Sequence, residues 1–282
     1  MMSMEIYSSI ETGFRMIRKV LTMPELVRPN QEVTLSDQCY RFENVSFSYE
    51  KGIEVLHDIN FDVKPNSVFA IVGESGSGKS TIAKLMAGFF DADDGRIYFG
   101  DQDVKSIPTS QLMKHVAYVA QDNFLFDTTI RENLKIAKAD ATDEEIQAAL
   151  KAANCLELIE RLPEGLNSNA GDCGKFLSGG ERQRITLARA MLADAQCIIL
   201  DEATAYADVE NEAKIQEALS RLMKDKTLIV VAHRLNTIVG ADQIMVLGHG
   251  KIESIGTHKE LIQNSSAYQK LWQSYSGKEV VE

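Results

Sequence analysis

Two stretches near the start of the chain alternate between hydrophobic and polar positions. This alternation predicts two antiparallel strands that each bury one face. Tyr40 and Phe42 occupy even positions, whereas the apolar residues from Val45 onward occupy odd ones. This change predicts a bulge or bend near Asn44, which would keep all of them on one face. The apolar members of the two stretches are Val45, Phe47 and Tyr49, followed by Ile59, Phe61 and Val63.

From residue 67 onward, short apolar runs alternate with segments that have helical spacing. The run 68–72 has the length of a buried strand, and Ile82, Leu85 and Met86 then recur at the spacing of one helix face. This alternation of strands and helices predicts an α/β fold with a mostly parallel sheet. Further strands are expected at 96–99, 116–120, 197–200 and 227–232, with a hairpin near 248–250.

Helix starts are indicated by a threonine followed three residues later by a glutamate, which is the pattern of a capping box. The last of these boxes opens a helical tail that contains Trp272. Between the second box and residue 177, a Pro/Gly/Asn/Ser-rich stretch at 163–174 predicts a long loop. The three boxes are Thr129–Glu132, Thr142–Glu145 and Thr257–Glu260.

The first 30 residues have a different pattern. Apolar residues fall on one helical stripe beside basic ones, and Pro24 and Pro29 then end the helix and mark a linker. Two interpretations stay open, a helix docked on its own domain and a juxtamembrane or inter-domain connector. The apolar stripe contains Ile6, Ile10, Phe14, Ile17 and Leu21, and the basic residues beside it are Arg15, Arg18 and Lys19.

Composition narrows the possible functions. The chain has 282 residues, of which 44% are hydrophobic, so a substantial core can form. A net charge of −11 argues against a protein whose main task is to bind nucleic acid. No signal peptide is recognisable and no apolar run approaches the ~20 residues of a membrane span, so any membrane role would come from another segment or partner. The four cysteines are scattered and indicate neither zinc nor a disulfide framework.

The most informative loop reads Gly-Glu-Ser-Gly-Ser-Gly-Lys-Ser-Thr and matches G-x-x-x-x-G-K-[ST] between a predicted strand and helix. Glycines let backbone N–H groups approach phosphate oxygens, and the helix N-terminus adds partial positive charge. Lys79 can reach the β- and γ-phosphates, and the Ser80 hydroxyl can bind Mg²⁺. A plain Gly/Ser-rich turn is disfavoured by this context. A nucleoside triphosphate is therefore expected at Gly73, Glu74, Ser75, Gly76, Ser77, Gly78, Lys79, Ser80 and Thr81.

Two adjacent carboxylates, Asp201 and Glu202, follow the strand predicted at 197–200. The carboxyl edge of a parallel sheet is where such sheets place ligands. Asp201 is expected to help hold Mg²⁺, and Glu202 to orient or deprotonate the water that attacks the γ-phosphate. A solvated turn is the alternative, which the P-loop makes the weaker of the two.

The segment 177–184 reads Leu-Ser-Gly-Gly-Glu-Arg-Gln-Arg and runs into residues at helical spacing. With the P-loop before it and Asp201–Glu202 after it, the chain resembles the nucleotide-binding domain of an ATP-binding cassette (ABC) transporter over about residues 39–270. The resemblance implies a P-loop NTPase (RecA-like) core with an antiparallel β subdomain. It also implies a helical subdomain inserted at about 122–180. Taken alone, Ser-Gly-Gly before a helix is also compatible with an ordinary cap.

In that family, the signature segment of one subunit closes over the nucleotide on the P-loop of the other. The resemblance therefore implies a head-to-tail dimer with two ATP molecules between the subunits. Across that interface, the nucleotide would be contacted by Ser178, Gly179 and Gly180. A homodimer and a heterodimer stay equally open.

Further roles carry over from the resemblance one residue at a time. Tyr49 corresponds to the aromatic residue that stacks on adenine, although alternation alone would favour a core aromatic. Gln121 corresponds to the glutamine that senses Mg²⁺ and water near the transmembrane partner. His233 corresponds to the histidine that contacts the γ-phosphate, and Asp208 lies in a loop that spans the dimer interface.

Several features resemble exporter-type domains, including residues 124–133 and the loop 170–174, where Asp172 stands in place of the usual Glu. The run Tyr206-Ala207-Asp208 departs from the usual sequence and resembles exporter-fold transporters that handle siderophores. We therefore expect an Mg²⁺-dependent ATPase domain of an exporter-fold transporter. The alternatives are a soluble ABC ATPase of DNA repair or translation and a separate ATPase subunit of an importer.

These expectations divide the chain into three parts. Residues 1–38 would be an amphipathic helix and linker from a transmembrane domain, 39–276 the nucleotide-binding domain, and 277–282 a tail. The expected partners are a second nucleotide-binding domain and a transmembrane domain, with no nucleic acid. The expected location is the cytoplasmic face of the cell membrane, through membrane helices outside this chain.

Overall fold

Two β-sheets and the helices packed on them make up the computed structural model. It describes residues 2–22, 26–36, 39–201, 217–218, 226–232 and 235–276. One sheet has four strands and the other has six among these residues. The expected mixture of an antiparallel sheet with a mostly parallel α/β sheet is confirmed.

The smaller sheet has the strand order β2-β1-β4-β5, and its strand pairs are antiparallel. In β1, Phe42 lies opposite Phe61 and Val45 lies opposite Ile59, so the register shifts between the two pairs. Asn44 has a φ of 50° at this shift, which confirms the bulge expected there. The strands are β1 (Tyr40–Glu50), β2 (Ile53–Asp62), β4 (Asp94–Phe99) and β5 (Gln102–Asp103).

The larger sheet has the strand order β10-β9-β3-β8-β7-β6. Neighbouring strands from β9 to β6 are parallel, whereas β10 forms an antiparallel hairpin with β9. Parallel strands all end at one edge, so the segments that follow them converge there. The strands are β3 (Val68–Val72), β6 (Val116–Val119), β7 (Cys197–Asp201), β8 (Thr227–Val231), β9 (Gln243–Gly248) and β10 (Lys251–Gly256).

Most helices begin where the sequence indicates. Thr142 and Thr257 form complete capping boxes, whereas Thr129 accepts a hydrogen bond from the Glu132 backbone without a return bond from the glutamate side chain. The helices are α1 (Met2–Leu21), α2 (Lys79–Met86), α3 (Thr109–His115), α4 (Ile130–Lys135), α5 (Asp143–Ala152), α6 (Leu156–Arg161), α7 (Gly179–Leu192), α8 (His258–Asn264) and α9 (Ser266–Ser276).

The expected tail is two helices, α8 and α9, and not one. Ser265 leaves the helical conformation, and its hydroxyl accepts a hydrogen bond from the Tyr268 backbone N–H at 3.2 Å. A serine hydroxyl that satisfies an N–H of the first turn is the ordinary way to start a new helix. The expected long loop at 163–174 also contains two short 3₁₀ turns, Gly165–Asn167 and Asp172–Gly174.

Helices cover both faces of the larger sheet. One side of the sheet, including Ile71 and Ile199, packs against α2 and the smaller sheet. The other side of the sheet packs against two separate groups of helices. Ile198 and Leu200 lie in a cluster with α4–α7. Near β9, Ala70 packs with residues of α8 and α9. Because side chains alternate between the two faces of a strand, neighbouring residues of β3 and β7 enter different clusters.

The described apolar side chains of α1 are exposed, with Phe14 at 71%. The linker at 26–36, by contrast, is attached to the rest of the chain. Arg28 makes two hydrogen bonds to Asp91, and the Gln111 side chain bonds both the N–H and the C=O of Val33. The linker is therefore held against the nucleotide-binding part of the chain, and both interpretations of α1 stay open. Within the described residues, none of the helices has both the length and the apolar character needed to cross a bilayer.

A buried asparagine anchors the loop at 124–128 to the helices. The Asn133 side-chain oxygen accepts hydrogen bonds from the Phe126 N–H at 2.8 Å and from Arg189 of α7 at 3.1 Å. Its amide group donates to the carbonyls of Phe126 and Thr129, each at 3.0 Å. Removal of this side chain would leave several buried polar groups without partners.

We therefore expect Asn133→Ala to lower the free energy of unfolding by about 2–3 kcal/mol, because unsatisfied buried groups carry their full desolvation cost. Urea denaturation measures the change. The matched control is Asn264→Ala at an exposed position, which should stay within about 0.5 kcal/mol of the parent. Equal stability of the two variants would contradict the anchoring role.

Candidate nucleotide-binding site

The P-loop connects the end of β3 to the start of α2, as its sequence predicts. Gly78 has a φ of 104°, and a Cβ built on it would lie 2.6 Å from Leu56. A Cβ on Gly73 would lie 2.1 Å from the carbonyl oxygen of Leu247 in β9. Only glycine fits at these two positions, and the loop is therefore held closely against its neighbours.

The inside of the loop is built to receive an anion. Lys79 is only 4% exposed, and its ammonium group donates to the backbone oxygens of Gly73 at 3.0 Å and Glu74 at 2.9 Å. The N-terminus of α2 has no side-chain cap and no acidic residue in its first turn. The buried Ser77 hydroxyl has no hydrogen-bond partner in the described part of the chain. These features fit a triphosphate, whose oxygens would accept the bonds that the loop offers.

Two oxygen-bearing side chains meet beside the loop. The Ser80 hydroxyl of α2 donates to Oδ1 of Asp201 at 2.8 Å, and Asp201 is 4% exposed at the end of β7. Two oxygen ligands from the protein suit Mg²⁺. This ion usually binds one or two side chains and takes its remaining ligands from water and phosphate. The residues present therefore fit the metal ion that the sequence predicts.

One residue at this edge was missed by the sequence analysis. Tyr118 of β6 donates a hydrogen bond to Oδ2 of Asp201 at 2.7 Å. Burial of its ring, followed by that hydrogen bond, raises the pKa of Tyr118 well above its usual value, so the hydroxyl stays protonated. A strand tyrosine three residues before Gln121 carries no chemical signal by itself, and only the pairing of β6 with β7 could have identified it.

An aromatic surface lies next to the P-loop helix. Tyr49 is 48% exposed, and its ring packs edge-on against Phe47 and Phe90 with centroids 4.9 and 5.3 Å away. Its hydroxyl donates to Thr81 of α2 at 3.2 Å. An exposed ring fixed in this way suits a flat base better than the core position that alternation alone favoured.

The signature segment lies in a different layer from the P-loop. Ser178 caps α7, because its hydroxyl accepts from the Glu181 N–H and the Glu181 side chain accepts from the Ser178 N–H. Gly179 and Gly180 form the first turn of that helix. α7 packs on the face of the large sheet opposite to α2. The cap is thus present, and it does not bring the signature to the P-loop of the same chain.

Gln121 is exposed and follows β6 beside a groove of about 590 Å³. The exposed rings of Phe124 and Phe126 pack edge to face in the next loop. Three predicted site residues, Glu202, Asp208 and His233, lie outside the described residues. β8 lies between β3 and β7 in the sheet, so the chain leaves it at the same edge as the P-loop. The groove is lined by residues that include Met113, Lys114, Tyr118, Asp122, Phe124 and Arg189.

Comparisons with known proteins agree with this geometry. A family model described as ABC transporter matches residues 56–205. The "Heavy metal tolerance protein" of Schizosaccharomyces pombe is 48% identical over 82% of this chain and 28% of its own length. The "Mycobactin import ATP-binding/permease protein IrtA" of Mycolicibacterium smegmatis is 47% identical over 83% of this chain and 27% of its own length.

A third relative, the "Putative multidrug export ATP-binding/permease protein YgaD" of Bacillus subtilis, is 48% identical over 82% of this chain and 40% of its own length. The chain thus spans well under half the length of these relatives. A solved bacterial Atm1-family ABC exporter with ATP bound superposes with a TM-score of 0.86 and 34% identity, over 95% of this chain and 47% of that one. The chain therefore belongs to the ABC transporter family, and its fold is that of the family's ATP-binding domain.

Proposed function

We propose that this chain is the ATP-hydrolysing domain of an exporter-fold ABC transporter. In this proposal it pairs head-to-tail with a second such domain around two ATP molecules and drives transport through a transmembrane domain. The observation that carries the proposal is the P-loop with its buried Lys79, next to the Ser80–Asp201 pair. The relatives named for export support it.

In this proposal each residue acts on the triphosphate in a defined way. Ser80, Asp201 and Gln121 would hold Mg²⁺, which would supply positive charge to the phosphates. Lys79 would exchange its backbone partners for phosphate oxygens. Glu202 would orient and deprotonate the attacking water, and His233 would donate a hydrogen bond to the γ-phosphate.

Dimerisation is supported by the separation of the two anion-binding helix termini. The helices α2 and α7 pack on opposite faces of the sheet, which supports a site that combines the P-loop of one chain with the signature segment of another. A second chain related by a twofold axis would bring its Ser178 segment over the P-loop of the first. Asp208 would then lie in the loop that joins the two sites.

A transmembrane partner is supported by the groove beside Gln121. Phe124 lines it and packs against Phe126, which is 50% exposed. Exposed apolar side chains clustered in this way mark contact surfaces. The linker at 26–36, attached through Arg28, would join the domain to membrane helices outside the described chain. This arrangement would place the domain at the cytoplasmic face of the cell membrane.

The two alternative functions receive less support. A soluble ATPase of DNA repair or translation is disfavoured by the net charge of −11 and by relatives whose names describe ATP-binding/permease proteins. The same relatives disfavour a separate importer subunit. The Tyr206-Ala207-Asp208 run keeps a siderophore as one candidate substrate, and a relative named for mycobactin import is compatible with it.

We expect Lys79→Ala to lower the affinity for ATP by at least about a hundredfold, because it removes the buried charge that faces the phosphates. Isothermal titration with ATP and Mg²⁺ measures the affinity. Lys84→Ala, on the same helix and half-buried, is the matched control and should bind as the parent does. ATP binding by Lys79→Ala with the parent's affinity would refute the nucleotide site.

Glu202→Gln should retain ATP binding and reduce turnover by about a hundredfold or more, since it removes the general base but keeps the shape of the side chain. Because the nucleotide is not consumed, this variant should accumulate as a dimer with ATP and Mg²⁺, measured by light scattering. Glu160→Gln, at an exposed position of α6, is the control. Hydrolysis by Glu202→Gln at the parental rate would show that the base is another residue.

Ser178→Ala separates the capping role of this residue from a role across the dimer interface. The variant should lose about 1 kcal/mol of stability, as should Thr142→Ala at the equivalent cap of α5. Only Ser178→Ala should also reduce ATP turnover, while its affinity for nucleotide as a monomer stays unchanged. Turnover that falls equally in both variants would assign Ser178 to helix stability alone.

A further inference from the structure

The carboxylate of Asp201 is held from two sides by hydroxyl groups. Ser80 donates to Oδ1 at 2.8 Å, and Tyr118 donates to Oδ2 at 2.7 Å. Both distances are typical of hydrogen bonds between a hydroxyl donor and an oxygen acceptor. Each carboxylate oxygen of Asp201 therefore accepts one hydrogen bond from a hydroxyl group.

The strand register explains why Tyr118 reaches this position. In the parallel pair of β6 and β7, Tyr118 lies opposite Ile199. Side chains of Ile199 and Asp201 point to the same face, because they are two residues apart on one strand. Tyr118 therefore stands on the face that carries Asp201, one strand away and two residues behind. The length of a tyrosine side chain spans that diagonal.

The ring of Tyr118 is itself fixed. It packs edge-on against Phe89, with centroids 5.0 Å apart, and joins the apolar cluster that contains α2. A ring held in this way keeps its hydroxyl in one place and so limits the rotation of the Asp201 carboxylate. Ser80 and Asp201 can then face a metal ion without first losing conformational freedom.

We infer that Tyr118 is a positioning residue for Mg²⁺: its hydroxyl fixes Oδ2 of Asp201 so that Oδ1 faces the metal beside Ser80. This inference rests on the proposed function, since it assumes that Mg²⁺ and nucleotide bind at the P-loop. It adds that the strand leading to Gln121 is attached to the metal site through a side chain. Gln121 follows Tyr118 by three residues. Movement of that segment would therefore change the hydrogen bond between Tyr118 and Asp201.

The experiment measures Mn²⁺, a paramagnetic substitute for Mg²⁺, in the presence of a non-hydrolysable ATP analogue. Electron paramagnetic resonance of free Mn²⁺ gives the metal affinity. Tyr118→Phe should bind Mn²⁺ about tenfold more weakly, the size typical of losing a partner of a metal ligand. Metal-free affinity for the analogue should be unchanged. In steady-state assays the Mg²⁺ concentration at half-maximal rate should rise more than kcat falls.

Tyr268→Phe is the matched control, because it also removes a tyrosine hydroxyl with a side-chain partner, here His258 at 2.9 Å. It should leave Mn²⁺ affinity unchanged. In an Asp201→Asn background, Tyr118→Phe should have no further effect on Mn²⁺ affinity, since the carboxylate that it positions is absent. Phenylalanine keeps the ring and its contact with Phe89, so Tyr118→Phe should retain the fold, and circular dichroism of both variants checks this.

The outcomes separate this inference from the proposed function. Absence of Mn²⁺–nucleotide binding by the parent protein would refute the proposed function itself. Binding by the parent with equal Mn²⁺ affinity in Tyr118→Phe would overturn the positioning role alone. Weakening of the same size in Tyr268→Phe would also overturn it, because the loss would then reflect general stability.

Discussion

The proposed nucleotide-binding site depends on one contact at the carboxyl edge of the larger sheet, the hydrogen bond from Ser80 to Asp201. These residues are 121 positions apart in the chain, and they meet because only β8 separates β3 from β7 in the sheet. Parallel strands end at one edge, so the loop after β3 and the carboxylate at the end of β7 arrive at the same place. Every proposed step on the triphosphate depends on this meeting of two distant segments.

A second constraint is the alternation of side chains across the large sheet. Ile199 faces the layer of α2, whereas Ile198 and Leu200 face the layer of α7. Gly78 precedes α2 and Gly179 opens α7, and the two helices pack on opposite faces of the sheet. A site that uses both helix starts therefore needs two chains, which links the proposed dimer directly to the packing of the core.

Local patterns predicted the elements whose deciding interactions are local. The caps at Thr142 and Thr257 involve neighbours within a few residues, and both are present as expected. The bulge at Asn44 is also present, and the change of parity along β1 predicted it although it shifts the pairing with β2. The sequence predicted an element less completely where packing between distant residues helps to determine its bounds. The tail that contains Trp272 divides at Ser265, because the second helix turns to bury Tyr268 against the sheet.

The sequence by itself determined the P-loop, the cap that starts α7, the strand that ends at Asp201, and hence the family, because these depend on residue type at fixed spacing. Tertiary structure alone decided that Tyr118 holds Asp201 and that Arg28 attaches the linker to Asp91. Such contacts join residues far apart in the chain. Strand order and register determine these contacts. Both result from packing of the whole core, so a local sequence pattern does not predict them.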